Sequence, residues 1–205
     1  MKVLLINGSP NKECTNRALI ELSNVLNEEG IDTEIIHIGS LDIRGCISCG
    51  YCRKNGKCVF NDIVCEVSDK FKECDGIVIG TPTYYAGMNG TLKAFLDRLF
   101  FSANFDKSFK VGCAVVSSRR AGSTSAMDDI NKYFTISNMP VVSSTYWGEV
   151  HGFKSEDVLL DLEGLQTMRN LGRNMAFLIK SIELGKNEFG LPKIEREYKT
   201  SFRDC

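Results

Sequence analysis

Five short apolar runs, separated by stretches of helical periodicity, constrain this chain more than any other feature. They are KVLLI (2–6), DTEIIHI (32–38), GIVIGT (76–81), VGCAVVS (111–117) and PVVSST (140–145). Strands that alternate with helices form crossover units, and such units build a parallel sheet with helices on both faces. The third and fourth runs are nearly continuous in apolar residues, as strands covered on both faces are. Between the runs, Ala18, Leu19, Leu22, Val25 and Leu26 recur at helical spacing, and so do Leu92, Phe95, Leu96, Leu99 and Phe100. Ile63, Val64, Val67 and Phe71 mark a shorter helix. A further helix is expected over 123–134, and a long last one from about Val158 to Leu184.

Five such units without a dinucleotide fingerprint predict an α/β, flavodoxin-like three-layer sandwich whose five-stranded parallel sheet has the order 2-1-3-4-5. In sheets of this kind ligands bind beyond the carboxyl ends of the strands, at the switch point between strands 1 and 3. The 205 residues carry no repeat or low-complexity linker, so one domain is expected over 1–184. A polar tail over 185–205 follows, with Gly185 as the expected helix stop. That tail either frays or packs on the body or a neighbouring subunit, and Cys205 at its end reads as an exposed thiol.

With 25 Lys and Arg against 26 Asp and Glu, there is no basic footprint for a nucleic acid, nor the acidic excess of a small carrier that docks by charge. The N-terminus MKVLLINGSPNKE is too short in apolar residues for a secretory segment or a membrane span. A soluble, cytoplasmic protein is expected, with its nine cysteines kept reduced by the compartment. Their odd number and clustering favour ligation or redox chemistry over a disulfide framework.

Two loops fall where the switch-point rule looks for function. After the first strand, NGSPNKECTNRAL (7–19) supplies Ser9 at a turn, then Thr15 and Asn16 at the start of a helix. Hydroxyls, a side-chain amide and unpaired helix N–H groups make a site for a phosphate monoester, although Thr15 also serves as a plain helix cap. After the third strand comes TPTYYAGMNGTLKAFLDR (81–98). Pro82 ends the strand, and the loop Thr83, Tyr84, Tyr85, Ala86 and Gly87 offers backbone amides and aromatic faces to a planar heterocycle. Asn89 or Thr91 is placed to cap the next helix.

The cysteines of CISCGYCRKNGKC (46–58) follow the spacing Cys46-x2-Cys49-x2-Cys52-x5-Cys58. Three thiols at successive three-residue intervals can wrap one face of a cubane cluster while a fourth arrives from a short loop. Structural zinc usually pairs two ligand couples across a longer gap, and a redox dithiol needs only two of the four. The segment lies in a connection of about 20 residues, long for a crossover. Its position after the second strand leads us to expect it beyond the carboxyl ends of the strands, on the side of the sheet where ligands bind. Cys65, Cys74 and Cys113 read as small buried side chains.

The loops GSPNKECTN and TPTYYAGMNGTLKAFLDR together resemble the two FMN-binding loops of the NADPH-dependent FMN reductase family, the multimeric flavodoxin-fold flavoproteins. The resemblance extends from Met1 to about Leu184. It implies that Ser9, Thr15 and Asn16 hold the FMN phosphate, and that Pro82, Thr83, Tyr84, Tyr85, Ala86 and Gly87 lie along the isoalloxazine. It also implies that Ser118 and Gly122, in SSRRAGST (117–124), flank the ring. Arg119 and Arg120 read first as a solvated basic pair, with attraction of the extra phosphate of NADPH as the alternative, and His151 as an ordinary surface histidine. Within the family, the iron-sulfur flavoproteins carry a compact cysteine motif similar to this one at all four positions. That similarity implies a 4Fe-4S cluster on Cys46, Cys49, Cys52 and Cys58.

The function so implied is an FMN-dependent oxidoreductase passing electrons from NAD(P)H or a reduced carrier to a small acceptor or redox partner, in a homodimer or homotetramer. No side chain is required as acid or base, since the redox chemistry belongs to the cofactor. The alternatives are a cluster-free NAD(P)H:FMN or quinone reductase, and a non-enzymatic electron carrier.

Overall fold

A computed structural model describes residues 1–198 and 200; Cys205 lies outside them. The strands are β1 (Lys2–Asn7), β2 (Asp32–His37), β3 (Gly76–Pro82), β4 (Val111–Ser118) and β5 (Glu149–His151). All pair in parallel, in the order β2-β1-β3-β4-β5, as the alternation of runs predicts.

Successive residues of a strand face opposite sides of the sheet, and two cores follow from that. Val3, Leu5, Val78, Cys113 and Val115 face α1 (Cys14–Glu28) and α7 (Leu162–Phe189) through Leu22, Leu26, Met168 and Met175. Leu4, Ile6, Ile77 and Ile79 face the other way, towards α3 (Ile63–Lys72), α4 (Gly90–Ser102) and α5 (Ser123–Ile136). Phe71, Phe95 and Phe134 are fully buried there. Two short helices, α2 (Tyr51–Asn55) and α6 (Ser155–Val158), complete the set among the described residues. None of these helices is long and apolar enough to cross a membrane.

Three expectations need correction. The fifth strand does not occupy 140–145. Val141 makes only an isolated bridge to Gly112, and the ladder on β4 resumes at Glu149. Between them the chain leaves the sheet because α7 takes up its polar groups: Ser144 Oγ donates to the Thr167 carbonyl at 2.8 Å, and Asn174 Nδ2 donates to the Ser143 carbonyl at 2.8 Å.

The last helical stretch starts with the separate turn α6. Asp161 then caps α7, accepting from Gly164 N at 2.9 Å and from His151 N at 2.6 Å. Gly185 does not stop α7. It lies within the helix, where an added Cβ would meet nothing within 4 Å beyond the helix's own backbone, and the stop falls at Gly190, whose φ of 75° a side chain would oppose. The tail from Gly190 approaches the body where Arg196 meets Asp106 at 3.9 Å.

The ring of Phe134 lies on the Cα of Gly112, where an added Cβ would sit 2.4 Å from the ring. Replacing Phe134 with Ala opens a cavity directly on β4. It is expected to lower the unfolding free energy by about 3–5 kcal/mol, read from the denaturant midpoint with the slope unchanged.

Candidate functional site

The carboxyl ends of β1, β3 and β4 frame a cleft of about 550 Å³, within the usual range for a small-molecule site. Ser9, Thr15, Pro82, Thr83, Tyr84 and Ser118 line it, together with Cys14, Arg119, Gly152, Phe153 and Lys154. Six of the eleven residues expected around a flavin are therefore brought together.

The floor is made by close backbone approach. Gly8 N donates to the Gly80 carbonyl at 2.9 Å, tying the loop after β1 to β3. A Cβ on Gly39 would fall 2.1 Å from the Ser9 carbonyl oxygen, so only glycine lets the chain leaving β2 pass beneath the turn. The same carbonyl meets His37 Nε2 at 2.6 Å. Ser9 Oγ accepts from Asn11 N at 3.3 Å, and Thr15 Oγ1 pairs with Ser117 Oγ on β4 at 2.8 Å.

Thr15 does not cap α1. The cap position belongs to Glu13, whose side chain makes no capping bond and accepts instead from Ser155 N at 2.9 Å. The first amides of α1 thus keep their donors for an anion. Asn16 is turned to Asn7, whose Nδ2 donates to Asn16 Oδ1 at 3.1 Å; it braces the loop and does not line the cleft.

Across the cleft, Thr83 N donates to the Ser117 carbonyl at 2.8 Å, while Thr83 Oγ1 is buried with no protein partner among the described residues. An orphaned buried hydroxyl beside a cleft is what a bound polar ligand would satisfy. Tyr84 and Gly87 exchange backbone hydrogen bonds at 2.9 Å, closing a turn whose central residues, Tyr85 and Ala86, have φ of 50° and 60°. Positive φ at both central residues is the conformation of primed hairpin turns, which residues other than Gly, Asn and Asp rarely adopt. Tyr85 projects wholly into solvent, and Ala86 packs on Gly122, where a Cβ would come within 2.9 Å. Tyr85, Ala86, Gly87 and Gly122 therefore lie outside the lining, with Ala86 and Gly122 holding the two loops together. Asn89, not Thr91, caps α4, accepting from Thr91 N and Leu92 N. His151 is half-exposed with Nδ1 3.2 Å from Ser118 Oγ, and Trp147 lines a separate hollow with Tyr146.

Cys46, Cys49, Cys52 and Cys58 line a second pocket, walled by Ile47, Val59, Phe60 and Phe101. The thiol-bearing segment lies closed on this apolar wall, with about 20 Å³ of free volume, room for about one water. Among the described residues, no three His, Cys, Asp or Glu side chains converge as ligands of one metal ion would.

The pocket is not at the flavin edge of the sheet. It stands against Arg98, Phe101 and Ser102 on the later turns of α4, roughly 12–18 Å along the helix from Gly90 at 1.5 Å per residue. The connection runs down the flank of α4 because a buried arginine holds it there. Arg98 Nη1 and Nη2 bind both carboxylate oxygens of Asp62 at 2.7 and 2.8 Å, and also reach the carbonyls of Arg44 and Phe60. Its Nε donates to Cys58 Sγ at 3.3 Å. Burial works against the guanidinium charge, but Asp62 and Cys58 outweigh it and hold the Arg98 pKa above its ordinary value. Asp62 also caps α3, accepting from Val64 N at 3.1 Å. Arg98 escaped the sequence reading; its only signal is a charge inside the apolar stretch FLDRLFF.

A parallel sheet of this order with a cleft at its switch point is the architecture of a flavodoxin-like protein. The family model for NADPH-dependent FMN reductase matches residues 1–154, and the chain belongs to that family of FMN-binding flavodoxin-fold oxidoreductases. An iron-sulfur flavoprotein of Methanocaldococcus jannaschii is 38% identical over 192 residues, covering 89% of this chain and all of the relative. One from Archaeoglobus fulgidus is 30% identical, covering 87% and 97%. Among solved structures, RosB with a bound 8-demethyl-8-formylriboflavin-5'-phosphate intermediate superposes with a TM-score of 0.73 at 14% identity, over 99% of this chain and 92% of that one. An NAD(P)H:quinone oxidoreductase from Methanothermobacter marburgensis gives 0.65 at 16% identity, over 85% and 98%.

Burial pushes the thiol pKa of Cys14, Cys74 and Cys113 upwards, which leaves less thiolate at any given pH. Cys46 and Cys49 are exposed, whereas Cys65, expected to be buried, is only half so. In iron-free protein at pH 8, alkylation followed by mass spectrometry is expected to label Cys46 and Cys49 first. Cys14, Cys74 and Cys113 should be labelled fully only on unfolding.

Proposed function

We propose that this chain is an FMN oxidoreductase that passes electrons from NAD(P)H or a reduced carrier to a small acceptor or redox partner. It carries in addition a 4Fe-4S cluster on Cys46, Cys49, Cys52 and Cys58. The observation that supports this best is that all four thiols line one pocket in a chain whose strand loops already frame a cofactor-sized cleft. When bound, FMN supplies hydride and single-electron transfer, and a cluster supplies single-electron transfer.

The residues bind and orient. Ser9, Thr15 and the first amides of α1 receive the phosphate, with Asn16 fixing their loop through Asn7. Thr83 Oγ1 supplies the hydrogen bond for which it has no protein partner, and Pro82, Tyr84 and Ser118 bound the ring. Gly122 and Ala86 fix the spacing of the two ring loops, and Tyr85 with Gly87 presents an aromatic tip to a partner or to a second copy in a dimer or tetramer. Arg119, exposed at the cleft, is free to attract the phosphates of a nicotinamide nucleotide.

The donor set fits the cluster: four thiols, an apolar wall and a buried cation. Seating it requires the segment bearing Cys46, Cys49 and Cys52 to move outwards from its closed position. That motion costs little packing, because α2 buries no side chain.

Anaerobic purification is expected to yield one FMN with about four irons and four sulfides per chain. Cys49→Ser should lose the iron and keep the FMN. FMN without iron or sulfide would favour the cluster-free reductase; protein that cannot be loaded with FMN would sink the proposal. Turnover of neither NADH nor NADPH with a quinone or free flavin would leave the electron carrier.

For the phosphate loop, Ser9→Ala is expected to weaken FMN binding by about 1.5–3 kcal/mol, the usual worth of a hydrogen bond to a charged group. That is about ten- to hundredfold in Kd by fluorescence titration.

A further inference from the structure

From the contacts of its guanidinium we infer that Arg98 is the positioning residue of the cysteine site: it fixes Cys58 as the one preset ligand and biases the bound cluster towards its reduced state. The inference rests on the cluster reading above and goes beyond it by assigning a role to a residue outside the cysteine motif.

Every N–H of the guanidinium is used. Two go to the Asp62 carboxylate, two to the carbonyls of Arg44 and Phe60, and the Nε–H to Cys58 Sγ. The side chain is completely buried, and its guanidinium carbon stands 5.1 Å from the centre of the Phe60 ring. The partners lie on both sides of the motif, Arg44 just before Cys46 and Phe60 and Asp62 just after Cys58. One group on a packed helix therefore closes both ends of the cysteine loop.

Such a cluster of bonds is excessive for a surface loop, and the fork geometry is one that lysine cannot reproduce. Its position fits a ligand-holding task. Cys46 and Cys49 are exposed, with Cys46 Sγ accepting from within its own segment, from Ser48 N at 3.5 Å, while Cys58 is held by a donor on a packed helix. Outer contacts of this kind orient metal ligands and tune the metal. Reduction adds one electron, and so one negative charge, to a cluster and its thiolates. A hydrogen-bond donor fixed at one thiolate favours that more negative state, since hydrogen bonds to the sulfurs are among the terms that set such potentials, while the guanidinium charge is matched in large part by Asp62.

The test compares wild-type protein with Arg98→Met and Arg98→Lys, all purified anaerobically with FMN retention as the check on folding. Dithionite titrations followed by electron paramagnetic resonance read the cluster, and absorbance reads the flavin. In Arg98→Met the cluster's one-electron reduction is expected to become at least tenfold less favourable, a fall of about 59 mV. Arg98→Lys, which keeps the charge without the fork, should fall by less. The flavin midpoint stays in place in both. Loss of iron with FMN retained also supports the assignment, since it shows Cys58 no longer held for ligation. Iron retained at the wild-type level with an unmoved cluster midpoint overturns it, and so does loss of FMN in both variants, which would make Arg98 a general support of the fold. Wild-type protein that never holds iron or sulfide overturns the cluster reading itself, and is told apart by failing before any variant is compared.

Discussion

The parallel pairing of β1 with β2 on one side and β3 on the other is the constraint on which the rest depends. Because the chain leaves β1 and β3 in opposite directions, their carboxyl ends part and open a crevice. The crevice stays narrow because glycines stand where backbones meet: Gly8 against the Gly80 carbonyl, and Gly39 under the Ser9 carbonyl. The loop after β1 is consequently a rigid edge of the sheet, with the first amides of α1 delivered to a fixed point. The orphaned Thr83 hydroxyl faces the same cleft because β3 and β4 run in register up to Pro82 and Ser117.

How far the sequence could be read follows from which interactions are local. Strand order was legible because alternation of apolar runs is itself the record of crossover units, and β1 to β4 lie within a residue of where the runs end. The fifth strand was misplaced because Val141 and Val142 have strand propensity, but the ladder is decided by Gly112 at one end and by the polar side chains of α7 at the other. Nothing near residue 141 announces Asn174. Gly185 misled for the opposite reason: a glycine ends a helix only where the backbone must take positive φ, and that demand arises at Gly190.

The loop residues separate in the same way. Ser9, Thr15 and Thr83 line the cleft, and the sequence marks their places because Ser9 and Thr83 follow strand ends and Thr15 opens a helix. Asn16 and Gly122 turned out to brace the loops, a role set by Asn7 and Ala86, partners that only the folded chain brings into contact. The cysteine spacing was legible to the residue, but its direction was not. Position after β2 suggested the flavin edge, whereas Arg98, 40 residues beyond Cys58, pulls the connection down the flank of α4.

That placement changes how the two sites relate. They share no lining residue, yet both are built on α4, the cleft loop at its Asn89 cap and the cysteine pocket at its later turns. A packed helix with Leu92, Phe95, Leu96 and Leu99 fully buried is a stiff spacer, so a change in one site reaches the other only if α4 moves as a body. The charge buried at Arg98 is matched locally by Asp62, which keeps its field close to the cysteines and away from the cleft. The two sites are thus shaped separately: the strand ends set the environment of the cleft, and one arginine sets that of the thiols.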